Sequence, residues 1–444
     1  MAKKMHFAVI LLHCPMHHSV GSWRLPRSLV GYDYARPPFW QDVARILERG
    51  KFDMLFLADG IGVSDRYGRS IETTIRYGVQ CPTHDATPLI PLMATVTSRL
   101  GLAVTISTAY LPPLYLARQL ATLDHLTDGR VGWNVVTTPL EHEMEVYSHD
   151  ERYERADEYL EVCNKLWSSW EPDAILRDRE SGVFADPTKV HPINHEGKYF
   201  KVKGPLQVAP SPQGRPLIIQ AGQSERGLEF AAKHAEAVFA AHQTPAAMKR
   251  VYDDLKARAK RYGRHPSDLK VLWGLMPIVG ETEDAARAKE RALIEAVPPL
   301  GGLTQLSTHL GYDLSRVPLD ATLEDFAAEN GQGLLQMLSQ GLGIQGLAAM
   351  LKKENMGRAV TVGEAAQFYG SGIGPKIVGT PIQVANQLED IFDEVGGDGF
   401  MLITHYLPGC LEEFVEMVVP ILQQRGRFRA DYQGTTLREH FNEE

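Results

Sequence analysis

Along most of the chain, short runs of apolar and β-branched residues alternate with longer segments whose apolar positions recur every three or four residues. That pattern builds a parallel sheet with crossover helices. The runs that read as strands are His6 to Leu12, Asp53 to Leu57, Leu102 to Ser107, Val131 to Val136, Pro216 to Ala221, Ala237 to Ala241, Val271 to Val279 and Gly399 to Thr404. Several are apolar at consecutive positions rather than alternate ones, as expected of strands covered on both faces. Helical spacing marks Phe39 to Arg49, Pro88 to Arg99, Tyr115 to Leu126, Glu151 to Trp170, Ser224 to His234, Pro245 to Tyr262 and Glu281 to Ala296. Eight strands punctuated in this way predict an α/β fold, a single (β/α)8 TIM barrel, with active-site residues at the C-terminal strand ends and in the loops that follow.

The chain has 444 residues, well beyond the roughly 250 of a plain barrel. The surplus falls in two intervals, so residues 1–444 read as one barrel domain carrying two insertions. One spans about 171–215 and reads as holding a β-hairpin, Val190 to Val202, turning at His195-Glu196-Gly197. The other spans about 298–377 and is Gly-rich, with helical pieces such as Leu334 to Met350. Long insertions on a barrel are more often lids or oligomer contacts than separate domains.

Composition changes this picture little: 44% apolar and 23% charged residues describe a globular chain. Charge excludes more. With 46 Lys and Arg against 55 Asp and Glu, net −9, and no basic stripe at helical spacing, a phosphate backbone is repelled, so nucleic acid is not an expected partner. Cys14, Cys81, Cys163 and Cys410 stand far apart with no C-x-x-C pair, which fits reduced thiols in a cytoplasmic enzyme. The apolar start through Leu12 is short, carries His6 and lacks a small-residue cleavage site, so it reads as a strand rather than a signal peptide. No run approaches the roughly 20 apolar residues that span a bilayer.

The strand-end rule turns the pattern into a map of candidate chemistry. After the first strand comes His13-Cys14-Pro15-Met16-His17-His18. Its spacing does not match a barrel metal site, which leaves satisfied loop histidines or a substrate contact. Asp59 ends the second strand, where a carboxylate must find donors, either in the following loop or on a polar ring. Asn134, in the C-terminal half of the fourth strand, and Thr138, just past it, offer donors and acceptors suited to a heterocycle edge or a phosphate. Gly222-Gln223-Ser224 leads from a strand into a helix, with Ser224 at the N-cap and the first-turn N–H groups aimed at one point, a helix start suited to phosphate. His149 and Tyr153, four apart, share a helical face and can reach one phosphate. His309 lies in the Gly-rich insertion, where a closing lid would bring it over the barrel mouth. No G-x-G-x-x-G follows a strand and no Walker lysine pattern occurs, so a dinucleotide or nucleoside-triphosphate fold is not supported.

Longer passages carry a family resemblance: Gly50-Lys-Phe-Asp-Met-Leu-Phe-Leu-Ala-Asp59, Ala121-Thr-Leu-Asp-His-Leu-Thr-Asp-Gly-Arg130, Trp133-Asn-Val-Val-Thr137, His149-Asp-Glu-Arg-Tyr153, Ala156-Asp-Glu-Tyr159 and Gln220-Ala-Gly-Gln-Ser-Glu-Arg-Gly227. On these the chain resembles, nearly end to end, the bacterial-luciferase-like flavin monooxygenases, in the group containing nitrilotriacetate, dibenzothiophene-sulfone, dimethyl-sulfide and long-chain alkane monooxygenases. The resemblance implies an FMNH2-dependent monooxygenase that receives reduced FMN from a separate NAD(P)H:flavin reductase. It would form a flavin C4a-(hydro)peroxide and oxygenate a small organic substrate, whether organosulfur, alkane-like, aminopolycarboxylate or heterocyclic. It further implies that Asp59, Thr138, Tyr153 and Ser224 contact the flavin, with Tyr153 and Ser224 on the phosphate side and Ser107, Asn134 and His149 as neighbours. Cys14, His17, Gln80 and His309 match positions lining the reaction pocket, and His17 or His18, with His309, are expected to donate hydrogen bonds or move protons. A homodimer or homotetramer is implied too, and no resident metal.

Two departures bear on substrate. The segment Pro139 to Ser148 is shorter than in relatives, and Ser64 stands where the alkane enzymes carry a tyrosine. Competing readings are a deazaflavin-dependent dehydrogenase of the same superfamily, a metal-dependent barrel hydrolase and a non-catalytic flavin-binding barrel.

Overall fold

The computed structural model describes residues 3–137, 147–242, 244–322 and 359–443. Among them are strands β1 (His6–Leu12), β2 (Met54–Ala58), β3 (Gly101–Ser107), β4 (Val131–Val136), β5 (His195–Glu196), β6 (Lys201–Val202), β7 (Leu217–Gln220), β8 (Ala237–Ala240), β9 (Lys270–Val279), β10 (Lys376–Gly379) and β11 (Gly399–Ile403). Setting aside the β5–β6 hairpin and the short β10, the strands are the eight parallel strands of a (β/α)8 barrel, the fold class the sequence predicts. The chain comprises two compact units: Met1–Ala86 with Phe239–Asp254 and Val271–Ala430, and Thr87–Val238 with Leu255–Lys270 and Asp431–Glu444.

In the first unit the parallel order is β10-β9-β11-β1-β2, with His6 opposite Gly399 and Ala8 opposite Met54. Every residue of β1 is buried, which explains why its sequence runs apolar without alternation. Gly399 permits the close approach of β11 to β1, because a Cβ there would stand 2.0 Å from the His6 carbonyl oxygen. Phe7 anchors an aromatic core with Phe52, Phe400, Phe414 and Phe428, ring centroids 5.0 to 5.8 Å away. Beside it Asp53, fully buried, accepts from the Phe7 N–H at 2.8 Å, pairs with His6 at 2.9 Å and is bonded by Arg429. Helix Pro37–Arg49 opens on two prolines and buries Phe39, Trp40, Val43, Ala44, Ile46 and Leu47, one apolar face at three- and four-residue spacing.

In the second unit β3, β4, β7 and the start of β8 run parallel in that order. Helix His149–Trp167 starts on a capping box, the Ser148 hydroxyl accepting from Glu151 N–H while the Glu151 carboxylate accepts from Ser148 N–H. The helix expected over Pro88 to Arg99 stops at Ala94. There Thr95-Val96-Thr97 gives β-branched residues that favour leaving the helix, and the Thr97 hydroxyl donates back to the Met93 carbonyl at 2.9 Å.

The insertions are only partly as expected. The hairpin exists, but His195-Glu196 is its first strand, and the turn runs over Gly197 to Phe200. Glu158 sets this register from the neighbouring helix, accepting from Tyr199 and Phe200 N–H groups at 2.9 and 2.8 Å and meeting the His195 ring at 3.1 Å. In the Gly-rich insertion, helices Pro299–Leu310 and Val362–Gly370 pack through Leu303, Leu306, Val362, Ala365 and Ala366. The expected helix Leu334 to Met350 lies outside the described residues.

Candidate active site

In the first unit, the chain after β1 turns back on the strand end. His17 Nδ1 accepts the Leu12 N–H at 2.8 Å, so the imidazole proton sits on Nε2, and that nitrogen is buried with no partner among the described residues. His18 is buried as well, and neither of its ring nitrogens is bonded. Burial, and second the neighbouring imidazole, lower both pKa values to about 3, so both rings are neutral at physiological pH. Gln305 donates to the His18 carbonyl at 3.5 Å and leaves its own Oε1 buried and unbonded. Buried polar atoms are nearly always bonded, so a group of open ones marks a place for water or ligand.

Cys14 is fully buried and its thiol donates to the Met16 carbonyl. Burial pushes it up to about 12, so it is no nucleophile at rest. Gln80 takes a left-handed backbone, φ 48°, with its N–H on the Met16 sulfur at 3.0 Å and its amide donating to the His17 carbonyl at 3.5 Å. Asp59 is half-buried and accepts from the Gly60 N–H at 2.8 Å, the loop-cap arrangement; burial still raises its carboxyl above the usual range. His13 is packed structurally, with Nδ1 on the Asp85 carbonyl at 2.9 Å and its ring edge-on to Trp40.

His309 hydrogen-bonds Tyr369 through Nδ1. The surrounding protein lowers its pKa to about 4, while the residue itself is exposed at the surface. One residue before it, Thr308 meets the Ser64 hydroxyl at 2.8 Å, so Ser64 braces the helix bearing His309.

In the second unit, Ser224 caps helix Glu225–His234, its hydroxyl accepting from the Gly227 N–H at 3.0 Å. His149 Nε2 reaches the same hydroxyl at 3.4 Å, and the His149 and Tyr153 rings lie 5.2 Å apart. The Tyr153 hydroxyl rests over the glycines: a Cβ at Gly222 would stand 2.7 Å from it and one at Gly227 3.0 Å. Three donor groups and a helix N-terminus thus converge at the strand-to-helix turn. Asn134 donates to the Thr105 hydroxyl at 3.0 Å and leaves Oδ1 buried and unbonded. Ser107 accepts from the Ala109 N–H at 3.1 Å, a local turn contact. Thr138 lies outside the described residues, as do Pro139 to Val146.

Among the described residues no three His, Cys, Asp or Glu side chains gather as metal ligands. Sequence reasoning missed four polar groups: Gln305, Tyr369, and the buried, unbonded His242 Nε2 and Thr404 Oγ1. Thr404, last residue of an expected strand, and Gln305, one helical turn before His309, carried a signal.

The family described as luciferase-like monooxygenase matches residues 5–399. The dibenzothiophene-sulfone monooxygenase of Rhodococcus erythropolis (strain XP) is 41% identical, over 99% of this chain and 96% of that protein. Nitrilotriacetate monooxygenase component A of Aminobacter aminovorans is 38% identical over 99% of this chain and 96% of its own length. The crystal structure of DmoA from Hyphomicrobium sulfonivorans superposes with a TM-score of 0.90 at 38% identity, covering 99% of this chain and 92% of that one. The chain belongs to the luciferase-like monooxygenase family, and it is an oxygenase.

Proposed function

We propose that this chain is the oxygenating component of a two-component system: a separate NAD(P)H:flavin reductase supplies reduced FMN, and the oxygenase oxidises a small organic molecule. When bound, the flavin supplies the oxygen-activating chemistry, by way of a C4a-(hydro)peroxide. Support for a separate partner comes from family membership and from a relative that is itself named a component A. The substrate class stays at organosulfur, alkane-like, aminopolycarboxylate or heterocyclic.

The observation that carries the reading is the convergence of Ser224, His149 and Tyr153 on the start of helix Glu225–His234. Helix N–H groups and neutral donors suit a phosphate, and the glycine cradle under the Tyr153 hydroxyl leaves room that a Cβ would fill. The open Oδ1 of Asn134 suits a ring N–H, with Asp59, Ser107 and Thr138 as further flavin contacts. Cys14, Gln80, His17, His18 and His309 line the reaction pocket in this reading. There the low pKa values matter: His17 and His18 act as neutral N–H donors that hold a developing negative charge without delivering a proton prematurely. We further place the enzyme in the cytoplasm, as one barrel domain with two insertions that assembles into a dimer or tetramer. No helix among the described residues is long and apolar enough to cross a membrane.

The test mixes the protein anaerobically with reduced FMN, then with oxygenated buffer, alone and with one substrate of each class, following the near-UV flavin spectrum. A protected intermediate that decays to oxidised FMN is expected. Appearance of oxidised FMN at the free-flavin rate under every condition rejects the proposal.

A further inference from the structure

Helices Pro299–Leu310 and Val362–Gly370 meet through glycine. A Cβ on Gly302 would stand 2.1 Å from the Ala366 carbonyl oxygen, and one on Gly370 would stand 2.9 Å from Gly302 Cα. Such close backbones hold the side chains further along both helices in fixed relation. One of those pairs is His309 and Tyr369, sixty residues apart in sequence, whose rings sit edge to face with centroids 5.8 Å apart and whose Nδ1 and hydroxyl are hydrogen-bonded.

Two proton arrangements satisfy that geometry, and they differ in what they leave behind. If His309 donated from Nδ1, the hydroxyl proton of Tyr369 would need another acceptor, and no other described group accepts it. Tyr369 is only 9% exposed, so a stranded proton there is costly. If Tyr369 donates, its proton is used and Nδ1 is the acceptor, which sends the imidazole proton to Nε2. Burial also pushes the Tyr369 phenol far up, so it stays a donor at any physiological pH. The titratable group facing His309 from the β1 loop is His18, itself neutral, so nothing there competes by supplying a charge.

We propose that Tyr369 is a positioning residue that locks His309 in the Nε2–H tautomer, making Nε2 a standing hydrogen-bond donor. The mechanism is that of an orienting partner on the far side of a working imidazole. The proposal deepens the pocket assignment of His309 and rests on it for its functional meaning. The tautomer itself needs neither flavin nor substrate.

The experiment is nitrogen NMR on the full-length protein labelled with 15N-histidine, at about pH 8, with His309→Gln identifying the His309 signals by their loss. Wild type should show an unprotonated Nδ1 and a protonated Nε2. Tyr369→Phe, which removes only the hydroxyl, should shift the tautomer ratio toward parity by about tenfold, the worth of one buried hydrogen bond. A protonated Nδ1 in wild type overturns the proposal, as does an unchanged ratio in the variant. Should the variant fail to fold, the wild-type spectrum alone decides. Coupled product formation by His309→Ala is read separately: retained coupling there, with the tautomer shift intact, removes His309 from the chemistry but leaves Tyr369 as its positioning residue.

Discussion

His405 follows β11, is 5% exposed, and donates through Nε2 to the Pro277 carbonyl at 3.0 Å. Burial lowers its pKa from 6.5 to about 4, outweighing the opposite pull of that carbonyl. The unfolded chain therefore binds a proton below pH 6.5 that the folded chain refuses until about pH 4. Stability from this residue is complete above 6.5 and is lost as pH falls through that window. At pH 5 the loss is about 2 kcal/mol, a large share of a marginal folding free energy. The perturbation is His405→Gln, which keeps an N–H donor for Pro277 and removes the titration. Wild type and variant are unfolded in urea at about pH 8 and about pH 5, and the acid-induced loss should be about 2 kcal/mol smaller in the variant. His17 and His18 titrate by the same logic with pKa values of about 3, but they are present in both proteins and cancel. An equal acid-induced loss in both proteins, or an NMR titration of His405 with its midpoint near 6.5, refutes the reasoning.

Asp53→Asn leaves Arg429 buried without its carboxylate and should cost about 3–5 kcal/mol, read as a lowered thermal midpoint; a cost below about 1 kcal/mol contradicts the described network. Ser224→Ala removes the helix cap, at about 1 kcal/mol. If the turn also holds phosphate, the same variant binds FMN more weakly while riboflavin affinity is unchanged, which isothermal titration resolves. Glu158→Ala releases the Tyr199 and Phe200 N–H groups and the His195 ring together, so limited proteolysis should cut the Gly197 to Phe200 turn earlier than in wild type, with little change in the thermal midpoint.

Legibility in the sequence followed the range of the interaction that defines each feature. The barrel strands were readable because a continuously buried strand writes its environment into each residue; β1 and β4 match residue for residue and the others within one. β10 was not, since Lys376-Ile-Val-Gly379 is four residues with one Lys and one Gly, and its strand state comes from pairing with Met276 to Val279. The hairpin turn was misplaced because its register is set by Glu158, 37 residues before His195. At the site, the Ser224 cap and the His149–Tyr153 face were local and therefore visible. Tyr369 acts through His309, sixty residues away in the chain, so only three-dimensional packing reveals it.

The burial of Cys14 bears on how long such an enzyme lasts. Peroxide attacks thiolate rather than thiol. With the thiol pushed up to about 12, roughly one molecule in a hundred thousand carries the anion at neutral pH. Its proton is further occupied by the Met16 carbonyl. A sulfur placed at the end of β1 is thereby kept out of reach of peroxide in its surroundings, and thiol oxidation has to begin elsewhere, with the more open Cys81 the first thiol exposed to it.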